Sequence, residues 1–78
     1  MQVGHVIKLP TAADVAAIRE GMKLTQTAFA GMLGISVRTV QGWESLRNEP
    51  EGATRVLLLV AKYQPKAIVK AFQLAGKL

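Results

Sequence analysis

Residues 26–45 read Gln-Thr-Ala-Phe-Ala-Gly-Met-Leu-Gly-Ile-Ser-Val-Arg-Thr-Val-Gln-Gly-Trp-Glu-Ser, and the spacing of their apolar side chains decides the fold. In the first half of this stretch, Phe29, Ala30 and Leu33 recur at i, i+1 and i+4, which places them on one side of a helix. Gly34 follows directly, at the position where helices commonly end in a left-handed conformation that costs glycine little. The pattern therefore predicts a short helix that ends in a tight turn.

A second helix is predicted to begin at this turn. Ser36 is a good N-cap, and Val40 and Trp43 recur at i and i+3 on the side that faces back toward the first helix. Ile35 is expected to fill the corner between the helices, and Ala30 is small enough to let them cross closely. Two short helices in this arrangement are typical of a helix-turn-helix, whose second helix enters the major groove of DNA.

Start and end signals elsewhere in the chain predict three further helices. Thr11 and Asp14 have the spacing of a capping box, with Asp in place of the usual Glu or Gln, and open the first helix. Thr25 is the expected N-cap of the second. The predicted fold is all-α, a compact five-helix domain over residues 11–78 with a short N-terminal arm over residues 1–10.

The two C-terminal helices are rich in apolar residues. The fourth carries the apolar run 56–60, which covers more than one face and is typical of a helix buried on several sides. The fifth begins near Pro65, which suits a first helical turn. Its apolar stripe consists of Ile68, Val69, Phe72 and Ala75. Because so small a domain buries a modest share of its surface, we predict that these helices form a two-fold contact between two copies. The alternative is that the fifth helix closes the core of one chain.

The composition excludes several classes of protein. The 78 residues suit one domain, and the lack of Cys excludes disulfides and thiolate metal sites. His5 is the single His and has few acidic neighbours, so we expect no metal site and no cofactor. No stretch approaches the roughly 20 apolar residues of a transmembrane helix, and the N-terminus lacks the pattern of a signal peptide. A cytoplasmic protein without a membrane partner is expected.

The charge balance points to a polyanionic partner. Ten Lys and Arg stand against five Asp and Glu, which gives a net charge of +5. The alternative is that this charge serves only solubility, as it does in many small proteins.

The stretch from Ile18 to Gln26, Ile-Arg-Glu-Gly-Met-Lys-Leu-Thr-Gln, resembles the first helix and the start of the second in the phage lambda repressor/Cro family, also called Xre-type. The match continues over residues 29–45 and covers about 11–62 in all. It is carried by Phe29-Ala30, Leu33-Gly34-Ile35-Ser36, Thr39-Val40, Trp43-Glu44, Arg47 and Pro50. The resemblance implies a lambda-repressor-like DNA-binding domain.

The C-terminal part resembles one branch of this family, the HigA-like antitoxins and related small regulators of toxin–antitoxin operons. The likeness is carried by Pro50-Glu51-Gly52-Ala53, the Leu-rich fourth helix and the helix at Pro65. Leu46 departs from the pattern, because the family usually has Gly there. Either the loop takes another conformation, or Leu46 adds an apolar contact.

The outer face of the recognition helix, residues 37–45, holds the candidate base-reading residues. These are Val37, Arg38, Gln41 and Gly42. Arg38 can make two hydrogen bonds to guanine O6 and N7, and Gln41 can pair with adenine. Val37 can touch a thymine methyl group. The alternative is that Arg38 and Gln41 are ordinary solvated residues.

Phosphate contacts and one structural ion pair are also expected. The phosphate candidates are Lys23, Gln26, Ser36, Thr39, Arg47 and Asn48. By resemblance, Gln26 contacts a phosphate and braces the recognition helix, and Arg19 and Glu44 pair to link the first helix to the third. Such phosphate contacts add affinity and salt dependence without sequence information. Trp43 is expected in the core rather than as a platform for stacked bases.

Three functions are compatible with these features. The first is a sequence-specific regulator of transcription, a repressor, that binds double-stranded DNA as a homodimer. The second is an antitoxin that binds a toxin and represses its own operon. The third is an adaptor of the same fold that binds a protein instead of DNA. No catalytic arrangement of side chains is recognisable, and an enzyme is not expected.

Overall fold

The computed structural model describes residues 7–76, and in this part of the chain the backbone forms five α-helices without a strand. They are α1 (Ala12–Gly21), α2 (Gln26–Leu33), α3 (Val37–Glu44), α4 (Ala53–Tyr63) and α5 (Pro65–Leu74). The all-α, five-helix prediction is confirmed. Residues 1–6, with His5 and most of the predicted arm, lie outside the described residues. Among the described residues, no helix has the length and apolar character needed to span a membrane.

The helix ends form as the sequence predicts. The Asp14 carboxylate accepts a hydrogen bond from the backbone N–H of Thr11 at 2.8 Å, and this bond lowers the pKa of Asp14. The Thr25 hydroxyl oxygen caps α2 by accepting the N–H of Ala28 at 3.1 Å. Gly34 ends α2 in the left-handed conformation, with φ of 73°. These local signals set where α1 and α2 begin and where α2 ends.

The core lies where α1, α2 and α3 meet α4 and α5. Its largest fully buried side chains are Phe29, Leu58, Val15 and Val40. Trp43 is 4% exposed and belongs to this core, which excludes it as a stacking platform. Ala30 is 2% exposed, as expected for a small residue at the crossing of α2 and α3. The helix-turn-helix therefore packs on the same core as the C-terminal helices.

The structure corrects the expectation that α4 is buried on several sides. Only Leu58 and Ala61 of this helix are buried. Val56 is 51% exposed, and Leu57 and Val60 are also exposed. The consecutive apolar run gives α4 two apolar faces, and the described part of the chain, residues 7–76, covers one of them.

The stripe expected on α5 is also placed differently. Ile68 is buried and Phe72 packs partly buried against the core. Ala75 lies just beyond the end of α5 and is exposed. The apolar side of α5 thus serves mainly to close the core, as the alternative reading of this helix expected.

Residues just before α1 are fastened to the rest of the domain. The Arg55 guanidinium donates hydrogen bonds to the backbone carbonyls of Pro10 at 3.0 Å and Leu9 at 3.1 Å. The Glu49 carboxylate accepts the N–H of Ala12, the first residue of α1, at 2.8 Å. These contacts fix the direction in which the chain enters α1.

Candidate nucleic-acid interface

Three of the four predicted base-reading residues lie on the solvent side of α3. Val37, Arg38 and Gln41 are exposed, while Val40 and Trp43 are buried beneath them. The outer face of α3 therefore carries one guanidinium group, one amide group and one small apolar side chain. These groups suit guanine, adenine and a thymine methyl group, respectively.

The expectation that Gly42 is exposed on this outer face is wrong. Gly42 is buried, and a Cβ atom built on it would lie 2.7 Å from the side-chain nitrogen of Asn48. The loop after α3 thus covers the helix at this point. The helical periodicity of α3 does not predict the burial of Gly42, because it carries no information about the path of the loop after the helix.

Gln26 joins α2 to the recognition helix. Its side-chain nitrogen donates to Glu44 Oε1 at 3.1 Å, and its side-chain oxygen accepts from the Gln41 amide at 3.4 Å. The side chain of Gln26 therefore braces α3. The Thr25 cap takes the N–H of Ala28, but the helix leaves the N–H groups of Gln26 and Thr27 without partners inside the helix, so these two remain available for a phosphate.

Arg19 and Glu44 form the ion pair that the family resemblance implies. Arg19 Nε donates to Glu44 Oε2 at 2.7 Å and Arg19 Nη2 donates to Oε1 at 3.0 Å. Arg19 Nη1 also donates to the carbonyl oxygen of Leu24 at 2.8 Å. The side chains are 15% and 11% exposed, respectively. The hydrogen bond between them raises the pKa of Arg19 and, with help from Gln26, lowers the pKa of Glu44.

The candidate phosphate contacts lie at three places around α3. Ser36 caps α3 by accepting the N–H of Thr39, and the two hydroxyl oxygens are 3.0 Å apart. Lys23 is exposed in the turn between α1 and α2. Arg47 and Asn48 are exposed in the loop after α3. Ser36 and Thr39 thus share one end of the helix, while Arg47 and Asn48 lie beyond the other.

The loop after α3 depends on a leucine in an unfavourable conformation. Leu46 has φ of 62°, in the left-handed region that favours glycine, and its side chain is 64% exposed. The loop thus takes a conformation that suits glycine although leucine stands there, and the Leu46 side chain lies mostly in solvent, which argues against the expected apolar contact. The left-handed turn costs about 1–2 kcal/mol for an L-residue.

Hydrogen bonds to one carbonyl group hold this turn. The carbonyl oxygen of Gly42 accepts the N–H of Arg47 at 2.8 Å and the N–H of Asn48 at 3.2 Å. It also accepts the hydroxyl of Ser45 at 3.2 Å. The loop that carries two phosphate candidates is thereby fastened to the recognition helix. The sequence pattern did not predict this arrangement. Its one signal in the sequence is Gly42, a glycine inside a helix.

The described residues contain no group of His, Cys, Asp or Glu side chains arranged to hold a metal ion. The chemistry that this surface offers is hydrogen bonding and positive charge. Its exposed groups include hydrogen-bond donors of the kind that phosphate oxygens and base edges accept.

Comparison with known proteins agrees with this geometry. Residues 15–61 match the family described as Helix-turn-helix, HTH_3. The chain is also similar to Antitoxin HigA-2 of Vibrio cholerae serotype O1, at 31% identity over 55 residues. That match covers 70% of this chain and 53% of the relative, so the chain spans about half the length of the curated relative that it matches. The family match covers more than half of the chain and contains α2, α3 and the bracing pair Arg19–Glu44. The chain belongs to the Xre-type helix-turn-helix family of DNA-binding regulators.

Proposed function

We propose that this protein is a transcriptional repressor that recognises a specific double-stranded DNA sequence with α3 in the major groove. The observation that carries the proposal is the outer face of α3, where Arg38 and Gln41 are exposed above a fully buried Val40. The net charge of +5 supplies attraction to DNA of any sequence. No enzymatic activity is proposed, and the site of action is the cytoplasm.

Gln41 is held ready for an adenine. An amide nitrogen carries two hydrogens, and Gln41 uses one of them toward Gln26. The second hydrogen and the amide oxygen remain for adenine N7 and N6, respectively. Arg38 supplies the forked donors that suit guanine, and Val37 reaches a thymine methyl group.

Phosphate contacts flank this reading surface. Arg47 and Lys23 supply positive charge, and the first turn of α2 supplies the backbone N–H groups near Gln26. Ser36 and Thr39 share one hydrogen bond between their hydroxyl groups, so one O–H remains to donate to a phosphate oxygen. These groups set the orientation of α3 in the groove.

The experiment that tests this function is selection of bound sequences from random duplex DNA, followed by titration of the selected operator. Arg38→Ala should weaken binding by about 1–3 kcal/mol and relax the preference at one base pair. Lys66→Ala is the matched control, because it removes one positive charge from exposed α5. If random duplexes yield no preferred sequence, the proposal fails. If Arg38→Ala weakens all duplexes equally, Arg38 is a phosphate contact instead.

We further propose that the protein binds DNA as a homodimer. The face of α4 that the described residues leave exposed supports this, because four of its large side chains are exposed and recur at helical spacing. They are Val56, Leu57, Val60 and Tyr63. A two-fold contact through this face would serve two half-sites about 34–36 Å apart. One short helix reads few base pairs, so two copies give a regulator the specificity that one copy lacks.

A charge placed in this face tests the dimer. Val60→Lys should give a folded monomer by light scattering, with much weaker operator binding although its positive charge has increased. Ala13→Lys adds the same charge to an exposed position of α1 and should leave the dimer intact. A wild-type protein that is monomeric both free and on the operator would refute the dimer. A Val60→Lys protein that stays dimeric would place the contact elsewhere.

A second candidate function is that of an antitoxin that binds a toxin and represses its own operon. The similarity to Antitoxin HigA-2 favours it. The two functions are compatible, because one chain can use α3 for DNA and another surface for a protein. A small toxin-like reading frame next to the gene, whose product forms a complex with this chain, would support the antitoxin role.

An adaptor of the same fold that binds only proteins becomes the better account if selection from random duplexes yields no preferred DNA sequence.

A further inference from the structure

Asn48 occupies the side of the recognition helix that Gly42 leaves empty. A Cβ atom at Gly42 would lie 2.7 Å from the side-chain nitrogen of Asn48 and 3.7 Å from its Cγ. The first distance is shorter than real contacts of a Cβ atom, so a side chain at position 42 would force the Asn48 amide to move from this place. The position is therefore filled by a side chain that comes from the loop.

The loop holds Asn48 there through its backbone. The N–H groups of Arg47 and Asn48 both donate to the Gly42 carbonyl. The left-handed turn at Leu46 reverses the chain so that these bonds form. These bonds hold the backbone of Asn48 against α3 and keep its short side chain within reach of Gly42.

This place adjoins the predicted guanine reader. Arg38 and Gly42 lie four positions apart in α3, so they are neighbours on one side of the helix. Asn48 is exposed overall, and its amide group carries both donors and an acceptor. Asparagine pairs with adenine through N6 and N7 in the same way as glutamine does.

We propose that Asn48 reads a base edge, an adenine, beside the base read by Arg38, and that Gly42 is required to let it do so. This changes the role of Asn48 from a phosphate contact to a specificity-determining residue. The inference rests on the proposed function, because it supposes that α3 enters the major groove.

The test is titration of the selected operator and of its single-base variants. Asn48→Ala should weaken operator binding about 10- to 100-fold and abolish the preference at one base pair. Asn48→Asp removes the donors and keeps the size, and should shift that preference from adenine toward cytosine, whose N4 amino group suits a carboxylate.

Gly42→Ala probes the same contact from the helix. Its methyl group should displace the Asn48 amide and relax the preference at the same base pair. In the double variant with Asn48→Ala the two losses should not add, because both remove one interaction. Gly31→Ala is the matched control, since this exposed glycine in α2 has nothing within 4 Å of an added Cβ. It should leave the base preference unchanged.

The outcomes separate this inference from the proposed function. If the wild type selects no sequence, the proposed function fails and this inference fails with it. If Arg38→Ala relaxes one base pair but Asn48→Ala weakens all duplexes equally or not at all, only the inference is overturned. Should Gly42→Ala fail to fold, the two Asn48 variants decide, because that exposed side chain is not part of the core.

Discussion

Replacing Glu44 by glutamine tests how strongly α1 and α2 hold the recognition helix. The carboxylate accepts hydrogen bonds from Arg19 Nε at 2.7 Å, from Arg19 Nη2 at 3.0 Å and from Gln26 Nε2 at 3.1 Å. In the variant, one carboxylate oxygen becomes an NH₂ group that faces one of these donors. The charge that balances Arg19 is also lost.

The burial of the pair sets the size of the effect. Surface ion pairs are worth about 0–1 kcal/mol, whereas breaking a fully buried pair costs about 3–5 kcal/mol. The Arg19 and Glu44 side chains are 15% and 11% exposed, respectively, which places them between these limits. We expect Glu44→Gln to lower the free energy of unfolding by about 2 kcal/mol. For a domain of this length, that is a fall of about 8–16 °C in Tm.

Urea unfolding followed by circular dichroism measures this loss. Glu20→Gln is the matched control, because Glu20 also faces Arg19 but at 3.9 Å and with a side chain that is 69% exposed. Its change in the free energy of unfolding should stay within about 0.5 kcal/mol. If Glu44→Gln costs no more than Glu20→Gln, the pair does not stabilise the domain and the reasoning from burial is wrong.

The difference in the free energy of unfolding between wild type and Glu44→Gln should also depend on pH, which gives an independent check. The hydrogen bonds from Arg19 and Gln26 lower the pKa of Glu44 below its ordinary value of 4.5. A group with a lowered pKa in the folded state contributes stability above its ordinary pKa and loses it as the pH falls through the folded-state value. The gap between wild type and Glu44→Gln should therefore be widest near neutral pH and shrink below pH 4.5. A gap that stays constant down to strongly acidic pH would refute the role of the ionised carboxylate.

Two further predictions concern the loop after α3 and the phosphate contacts. Leu46→Gly should raise the free energy of unfolding by about 0.5–1 kcal/mol in urea titrations, because the strain relieved at the left-handed leucine exceeds the conformational entropy that glycine loses on folding. A loss of stability would mean instead that Leu46 packs against the domain. The logarithm of DNA affinity should fall linearly with the logarithm of salt concentration, and Arg47→Ala should flatten the slope by about 0.9 for each subunit, which is about 1.8 for the proposed homodimer. Gln26→Ala removes no charge and should flatten it less, and an affinity that does not respond to salt would contradict the electrostatic contribution.

Local signals predicted the helices because each depends on neighbours in sequence. Thr25 and Ser36 cap helices that begin at the next residue, and Gly34 ends the helix that precedes it. The burial of α4 was not predictable in the same way. An apolar run shows that a helix has two apolar faces, but not how many other elements of the same chain exist to cover them.

The site was predictable where helical periodicity determines it and not where the loops do. Arg38 and Gln41 follow from the period of α3, which also buries Val40. The apposition of Gly42 and Asn48 depends on the path of the loop, and residue preferences argue against a left-handed leucine there. Hydrogen bonds to the Gly42 carbonyl override that preference.

The bracing network connects the stability of the domain to the reading of DNA. Arg19 holds Glu44, Glu44 accepts from Gln26, and Gln26 accepts from Gln41. Each step is a direct hydrogen bond, so the orientation of a base-reading amide on α3 depends on a guanidinium group on α1. A change at Glu44 therefore acts on two properties, the free energy of unfolding and the placement of Gln41. For this reason, the effect of such a change on base preference is meaningful only when it is measured well below the Tm of the variant, where the whole population is folded.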